Sequence, residues 1–167
     1  MIERALLDES AAVLDGHDML DAAAARPRFV TFRAGDDDFA IAVERVREVV
    51  RADDITRVPA SPDHVRGLAP LRGRLVPVID VAVVLGGSRT TVTAHARLVT
   101  VDAAAEPGRR DGERLVALLV SAVGAVASPY AVDDDDVSAR GRAVVGAGLW
   151  RGRRVRFLDV DRLVEGP

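Results

Sequence analysis

The sequence predicts a mainly all-β protein made of two similar subdomains of about five strands each. Three observations predict it. Roughly ten short apolar runs are separated by Gly-, Pro- and Asp-rich breaks, as in barrels and sandwiches. Beyond the first ~25 residues no long amphipathic pattern appears. The arrangement Gly67…Arg72-Gly73-Arg74…Val78-Ile79-Asp80-Val81 returns as Gly146…Arg151-Gly152-Arg153…Leu158-Asp159-Val160, each with an Arg-Gly-Arg turn between apolar strands and an aspartate opening a helical turn.

Taken in order, Ile2, Leu6, Val13, Leu14 and Leu20 fall at loose helical spacing among acids and alanines, with Asp18 placed to cap a second short helix. This segment is a packed helix or a mobile tail, and Pro27 ends it. Phe29, Val30 and Phe32 then read as a strand, Gly35 to Asp38 as a turn, and Phe39 to Val43 as the returning strand. In Glu44 to Arg51, strand alternation would put Val46, Glu48 and Val50 on one face and Arg47, Val49 and Arg51 on the other. Thr56 to His64 is a connector stiffened by two prolines, and Pro62 is placed to start a helical turn through His64 and Val65. The hairpin of residues 67 to 80 follows, then a short turn or helix from Val81 to Leu85, ended by Gly86-Gly87.

Residues 88–95 read as a polar linker and Ala96 to Asp102 as a strand. A Pro/Gly/Arg-rich loop runs from Ala103 to Glu113. Leu115 to Val120 and Val123 to Ala127 are apolar strands, the second interrupted by Gly124. After the acidic loop Asp133 to Asp136, Ala143 to Leu149 and Val155 to Leu158 form the last hairpin, and Asp159 to Val164 a terminal helical turn.

A chain of 167 residues buries roughly 70% of its unfolded surface and needs neither disulfides nor metal to fold. It has no cysteine, which excludes disulfide frameworks, thiolate metal sites and cysteine nucleophiles. All 23 basic residues are arginine, against 26 acids. A net charge of −3 is not that of a dedicated nucleic-acid binder. No apolar run reaches the ~20 residues that span a bilayer, and the first ten residues carry acids where a secretory signal needs a basic start. The expectation is a cytoplasmic protein without membrane insertion.

Catalytic chemistry has no foothold. His17, His64 and His95 lie far apart, without metal-ligand spacing or a nucleophile motif beside them. Gly146-x-Gly148-x-x-x-Gly152 misses the dinucleotide spacing and lies in a strand hairpin. Asp36 to Asp38 lacks the alternate ligand spacing of a calcium loop, and four adjacent acids at Asp133 to Asp136 read as a solvated run. Trp150, at the tip of the last hairpin, is either a packed rim aromatic or an interface anchor. Arg72, Arg74 and Glu48 remain, as structural surface charges or as a grip on a partner.

Several stretches together resemble the CheW family of chemotaxis coupling proteins. They are Phe29-Val-Thr-Phe-x-x-Gly35-x-x-x-Phe39-Ala-Ile41, Val46-Arg-Glu48-Val49, Thr56-Arg57-Val58-Pro59-x-x-Pro62 and Gly67-x-x-x-Leu71-Arg72-Gly73-x-x-x-Pro77-Val78-x-Asp80. Val120-Ser-Ala-Val123 and Gly146…Leu158-Asp159-Val160-x-x-Leu163 continue the match. The resemblance implies an extension over residues 1–27 and a CheW-like domain over 28–165, folded as two packed five-stranded SH3-like β-barrels. It implies a non-enzymatic adaptor without cofactor or metal, coupling the cytoplasmic tip of methyl-accepting chemoreceptors to the regulatory domain of a CheA-type histidine kinase. Such a protein is cytoplasmic and recruited to membrane-associated receptor arrays. The same resemblance makes Arg72 and Glu48 the partner-binding residues, with Val46, Val49, Gly67 and Leu71 beside them. The alternative is a divergent scaffold that localises another partner. The chain departs from the family at Pro70, where Asn is usual, and at Ala42, where an acid is usual; a proline there puts the strand pairing in question.

Overall fold

The computed structural model describes residues 26–103, 114–132 and 141–167. The helical reading of residues 1–25, the 104–113 loop and the Asp133–Asp136 run lie outside the described residues.

Eleven strands are present among the described residues, in sheets of six and five rather than two sets of five. The five-stranded sheet holds β3 (Val46–Arg51), β4 (Val65–Leu71), β5 (Arg74–Asp80), β6 (Arg97–Ala103) and β7 (Arg114–Val120), in the order β3-β6-β7-β5-β4. The six-stranded sheet holds β1 (Phe29–Ala34), β2 (Asp37–Ala42), β8 (Ala122–Ala127), β9 (Tyr130–Val132), β10 (Val144–Trp150) and β11 (Arg153–Leu158), in the order β8-β1-β2-β11-β10-β9. Helices are short: a 3-10 turn at Val43–Arg45, α1 (Val81–Val84) and α2 (Val160–Glu165).

The two sheets repeat one plan. Each contains two antiparallel hairpins joined by one parallel pair, β5 with β7 in one and β11 with β2 in the other. Each is closed by a chain that pairs with one edge, bends, and reaches the opposite edge. In the second sheet that chain is β8, which pairs with β1, and then β9, which pairs with β10. In the first it is β3, which pairs with β6, followed by Thr56, which bridges Leu68 of β4 through two 2.8 Å backbone hydrogen bonds. The count of six against five therefore reflects one closing strand that a bend divides at Ser128-Pro129.

Local chemistry sets several boundaries differently from the sequence reading. Gly35, at φ 61°, turns the chain within Gly35-Asp36, so Asp37 and Asp38 belong to β2 and pair with Ala34 and Arg33. Pro62 starts no helix; the chain turns at Asp63-His64 and enters β4 at Val65. A register shift between Val46 and Glu48 places Val46 opposite Val101 but Glu48 and Val50 opposite Thr100 and Leu98. Alternation along β6 puts those partners on opposite faces, so Val46 does not share a face with Glu48 and Val50. Pro70 leaves the pairing intact. Leu71 and Arg74 flank the turn, and Pro70 opposes Leu75 in the next pair. Leu68, two residues earlier on the same side, turns its backbone outward to Thr56, so the proline nitrogen also faces outward and no ladder bond is lost.

The larger core lies between the sheets, where Val30, Phe32, Phe39 and Ile41 meet Val99, Val101, Val116 and Leu118, with Leu163 of α2. A second core, of Val76, Val78, Leu98, Ala117 and Leu119, fills the inside of the five-stranded sheet. Strands β6 and β7 are thus buried on both faces, the physical reason for their nearly unbroken apolar runs.

Candidate partner-binding site

The β4–β5 hairpin turns on two residues, Arg72 at φ 48° and Gly73 at φ 75°. Positive φ at both central positions gives the turn the twist of its strands. Its counterpart in the other sheet does the same with Arg151 at φ 50° and Gly152 at φ 75°. Each turn holds an arginine at a fixed point on the end of a barrel.

Glu48 comes to this point from the other edge of the sheet. The β3 bulge leaves its amide and carbonyl facing the buried Thr100, whose hydroxyl accepts from Glu48 N and donates to Glu48 O, 3.1 Å each. The backbone is thereby fixed and the half-buried side chain directed to the barrel mouth. There Arg72 sets Nε 3.0 Å and Nη2 2.8 Å from the same oxygen, Oε2 of Glu48. The arginine remains 80% exposed while the carboxylate is 20% exposed. The pair ties the two edge strands together across the barrel seam. An ion pair this wet contributes only ~0–1 kcal/mol and can open at little cost.

The structure distributes the remaining candidates around this seam. Val49 is exposed beside Glu48 on β3. Leu71 is half-buried and packs on the inner core, and Val46 is half-buried against the inter-sheet core. Gly67 is buried beneath the connector: a Cβ at its φ of 142° would lie 2.0 Å from the Thr56 carbonyl oxygen. Its contribution is to admit the strand that closes the barrel. Arg74 is exposed at the tip of the same hairpin, directly after the turn.

Sequence reasoning passed over three features. Leu75 is the most exposed of the large apolar side chains among the described residues, at 69%, opposite the exposed Pro70. It stands on the outward parity between Arg74 and the buried Val76, which the alternation of β5 could have shown. Asp80 and Asp159 occupy matching positions yet act differently. Asp159 caps α2 by accepting from the amides of Asp161 and Arg162. The Asp80 carboxylate is fully buried and leaves its helix uncapped; it accepts from Thr90 N (2.9 Å), Thr90 Oγ1 (2.7 Å) and Arg66 Nη1 (3.3 Å). It thereby anchors the segment that reads as a free polar linker. Arg45 spans the subdomains, with Nη1 and Nη2 on the two oxygens of Asp161 (3.1 and 2.6 Å) and Nε and Nη2 on the Asp102 carbonyl (3.0 and 2.6 Å). The hydrogen bond to Asp161 raises its pKa against the opposing effect of burial.

Between the subdomains lies a cleft of about 530 Å³, with Asp37 and Phe39 on one wall and Leu85, Arg89 and Thr91 on the other. Among the described residues no cluster of His, Asp or Glu is placed to hold a metal ion, and no helix is long and apolar enough to cross a membrane.

The model of the CheW-like domain matches residues 28–167. A chemotaxis protein CheW of Klebsiella aerogenes is 24% identical over 141 residues, covering 81% of this chain and 80% of the relative. That of Thermotoga maritima is 29% identical over 137 residues, covering 81% and 86%. Protein FrzA of Myxococcus xanthus is 35% identical over 79 residues, covering 46% of this chain and 49% of its own. The crystal structure of the scaffolding protein TtCheW from Thermoanaerobacter tengcongensis superposes with a TM-score of 0.70 at 23% identity, over 84% of this chain and 93% of that one, and shares its fold of two β subdomains.

Proposed function

This chain belongs to the CheW-like domain family, and from that premise we propose that it is a non-enzymatic adaptor coupling chemoreceptors to a CheA-type histidine kinase. One observation carries the reading: an exposed arginine on a rigid turn, clasped by a half-buried carboxylate at the seam of a barrel. The arrangement suits recognition. Arg72 offers a planar donor fork on a turn that cannot collapse into the core. Glu48 biases the fork toward one orientation, which lessens the rotamer entropy lost when a partner docks. Val49 supplies apolar contact at the same end, Gly67 and Leu71 hold the seam beneath it, and Val46 anchors β3 to the inter-sheet core.

In this reading the first barrel engages the regulatory domain of the kinase, and the cleft between the barrels takes the receptor's cytoplasmic tip. The mechanism is positional: the adaptor fixes receptor and kinase in one lattice, and receptor state reaches the kinase through that fixed geometry. The protein works in the cytoplasm, at membrane-associated arrays, within residues 28–165, without a cofactor.

The test is a pull-down with a CheA-type kinase regulatory domain and with a receptor tip, comparing wild type with Arg72→Ala and Glu48→Lys. Both variants are expected to lose capture of at least one partner while retaining the folded circular-dichroism spectrum. Undiminished capture of both partners by both variants would sink the assignment.

A further inference from the structure

The matching plan of the two barrels allows the Glu48–Arg72 site to be compared with its counterpart. In the second barrel the Thr31 hydroxyl does for Ala125 what Thr100 does for Glu48. It accepts from Ala125 N at 3.0 Å and donates to Ala125 O at 2.9 Å. Each lock sits at a register shift of the closing strand. Ala125 therefore stands where Glu48 stands, and Arg151 where Arg72 stands. The carboxylate is missing from the pair. Among the described residues Arg151 has no acidic partner; its guanidinium lies over the Trp150 ring, 5.4 Å from the centroid.

The missing side chain leaves space. A cavity of about 450 Å³ opens at this end of the second barrel, with Gly124, Ala125 and Val123 on one wall and Trp150 and Arg151 on the other. Its charge is unbalanced: Arg33, Arg151 and Arg153 line it with a single acid, Asp38. Asp38 is already engaged by Arg153 at 2.6 Å and by Arg33 at 3.6 Å. An exposed guanidinium held over an aromatic ring, beside an apolar hollow, favours a carboxylate on an aliphatic stem.

We infer that this cavity is a docking site for a protein partner that inserts an acidic side chain flanked by aliphatic residues, supplying in trans the carboxylate that Glu48 supplies within the first barrel. The site stands on the comparison of the two barrels and is independent of the kinase and receptor assignment above. It makes the two ends of the molecule unequal: one arrives with its ion pair made, the other completes it on binding.

Trp150 is the only tryptophan in the chain, so its fluorescence reports directly on the site. The full-length protein is titrated with the blocked peptide Ala-Leu-Glu-Leu-Ala and with its Gln counterpart, by fluorescence and by amide chemical shifts. The Glu peptide is expected to give a saturable change at Trp150, Arg151 and Ala125, with the Gln peptide about tenfold weaker or worse. Arg151→Gln should abolish that preference. Ala125→Glu should fill the site from within and remove the response, while both variants keep the wild-type urea-unfolding midpoint, as exposed substitutions do. Equal response to the two peptides, no saturable change into the millimolar range, or shifts confined to the first barrel would overturn the inference. So would a Trp150 signal that moves with protein concentration alone, which assigns the site to a second copy. A signal that moves on acid-to-amide changes at Asp8 and Glu9 or at Asp133 to Asp136 assigns it to the chain's own acids and overturns the inference equally.

Discussion

The hydroxyl of Thr100 bridges the amide and the carbonyl of Glu48, 3.1 Å from each, and so fixes from the core a carboxylate that meets Arg72 at the surface. Replacing Thr100 by Val keeps the volume and removes both bonds. The expected cost is about 1–2 kcal/mol, because the buried bulge is left unsatisfied. Thr100→Ser should recover most of it. Urea unfolding measures the loss, and partner capture by Thr100→Val should fall in step with that of Glu48→Ala. A variant that is destabilised but binds normally would separate the lock from the site.

Gly67→Ala is expected to cost at least about 3 kcal/mol, since the new methyl group meets backbone and the positive φ adds strain. The alteration should free the connector at Thr56, seen as faster amide exchange at Leu68 and Thr56. Gly73→Ala is the control: its surroundings are open, so it carries only the cost of its φ of 75°.

Asp80→Ala is expected to destabilise by about 3 kcal/mol, because Arg66 and both donors of Thr90 lose a buried acceptor. Asp80→Asn keeps one acceptor oxygen and should cost about half as much. Limited proteolysis reads the consequence locally: the alanine variant is cut near residues 88–93 at a rate the wild type does not show.

Arg45 and Asp161 are expected to show a coupling of about 1 kcal/mol in a double-mutant cycle, given their partial exposure. The raised pKa of Arg45 fixes the sign of its pH dependence. A base whose folded pKa lies above its unfolded value contributes fully below the unfolded value and loses that contribution as pH rises through the folded one. The arginine therefore adds no pH dependence near neutrality, and Arg45→Gln should lower stability equally on both sides of neutral pH.

The parts of the fold that were legible in the sequence are those encoded locally. Arg72-Gly73 and Arg151-Gly152 announce two-residue turns, and the recurrence around them announces two barrels. The meeting of Glu48 with Arg72 followed from family resemblance, and the structure brings the two side chains together. What stayed hidden depends on residues distant in the chain. The bulge that moves Val46 to the other face is stabilised by Thr100, 52 residues from Glu48. The division of one closing strand into β8 and β9 depends on which edges its halves meet. The second-barrel cavity is invisible in sequence, because Ala125 becomes informative only once Thr31 is seen to hold it as Thr100 holds Glu48.

The first barrel is one continuous stretch from β3 to β7, whereas the second takes β1 and β2 from before it and β8 to β11 from after it. During synthesis the first barrel is complete once Val120 has left the ribosome. Until β11 emerges, the β1–β2 hairpin must wait with Val30, Phe32, Phe39 and Ile41 uncovered or provisionally placed on the finished barrel. The order of the chain thus imposes an order of assembly, in which the first-made barrel is the template and the strands translated before it, β1 and β2, are among the last secured.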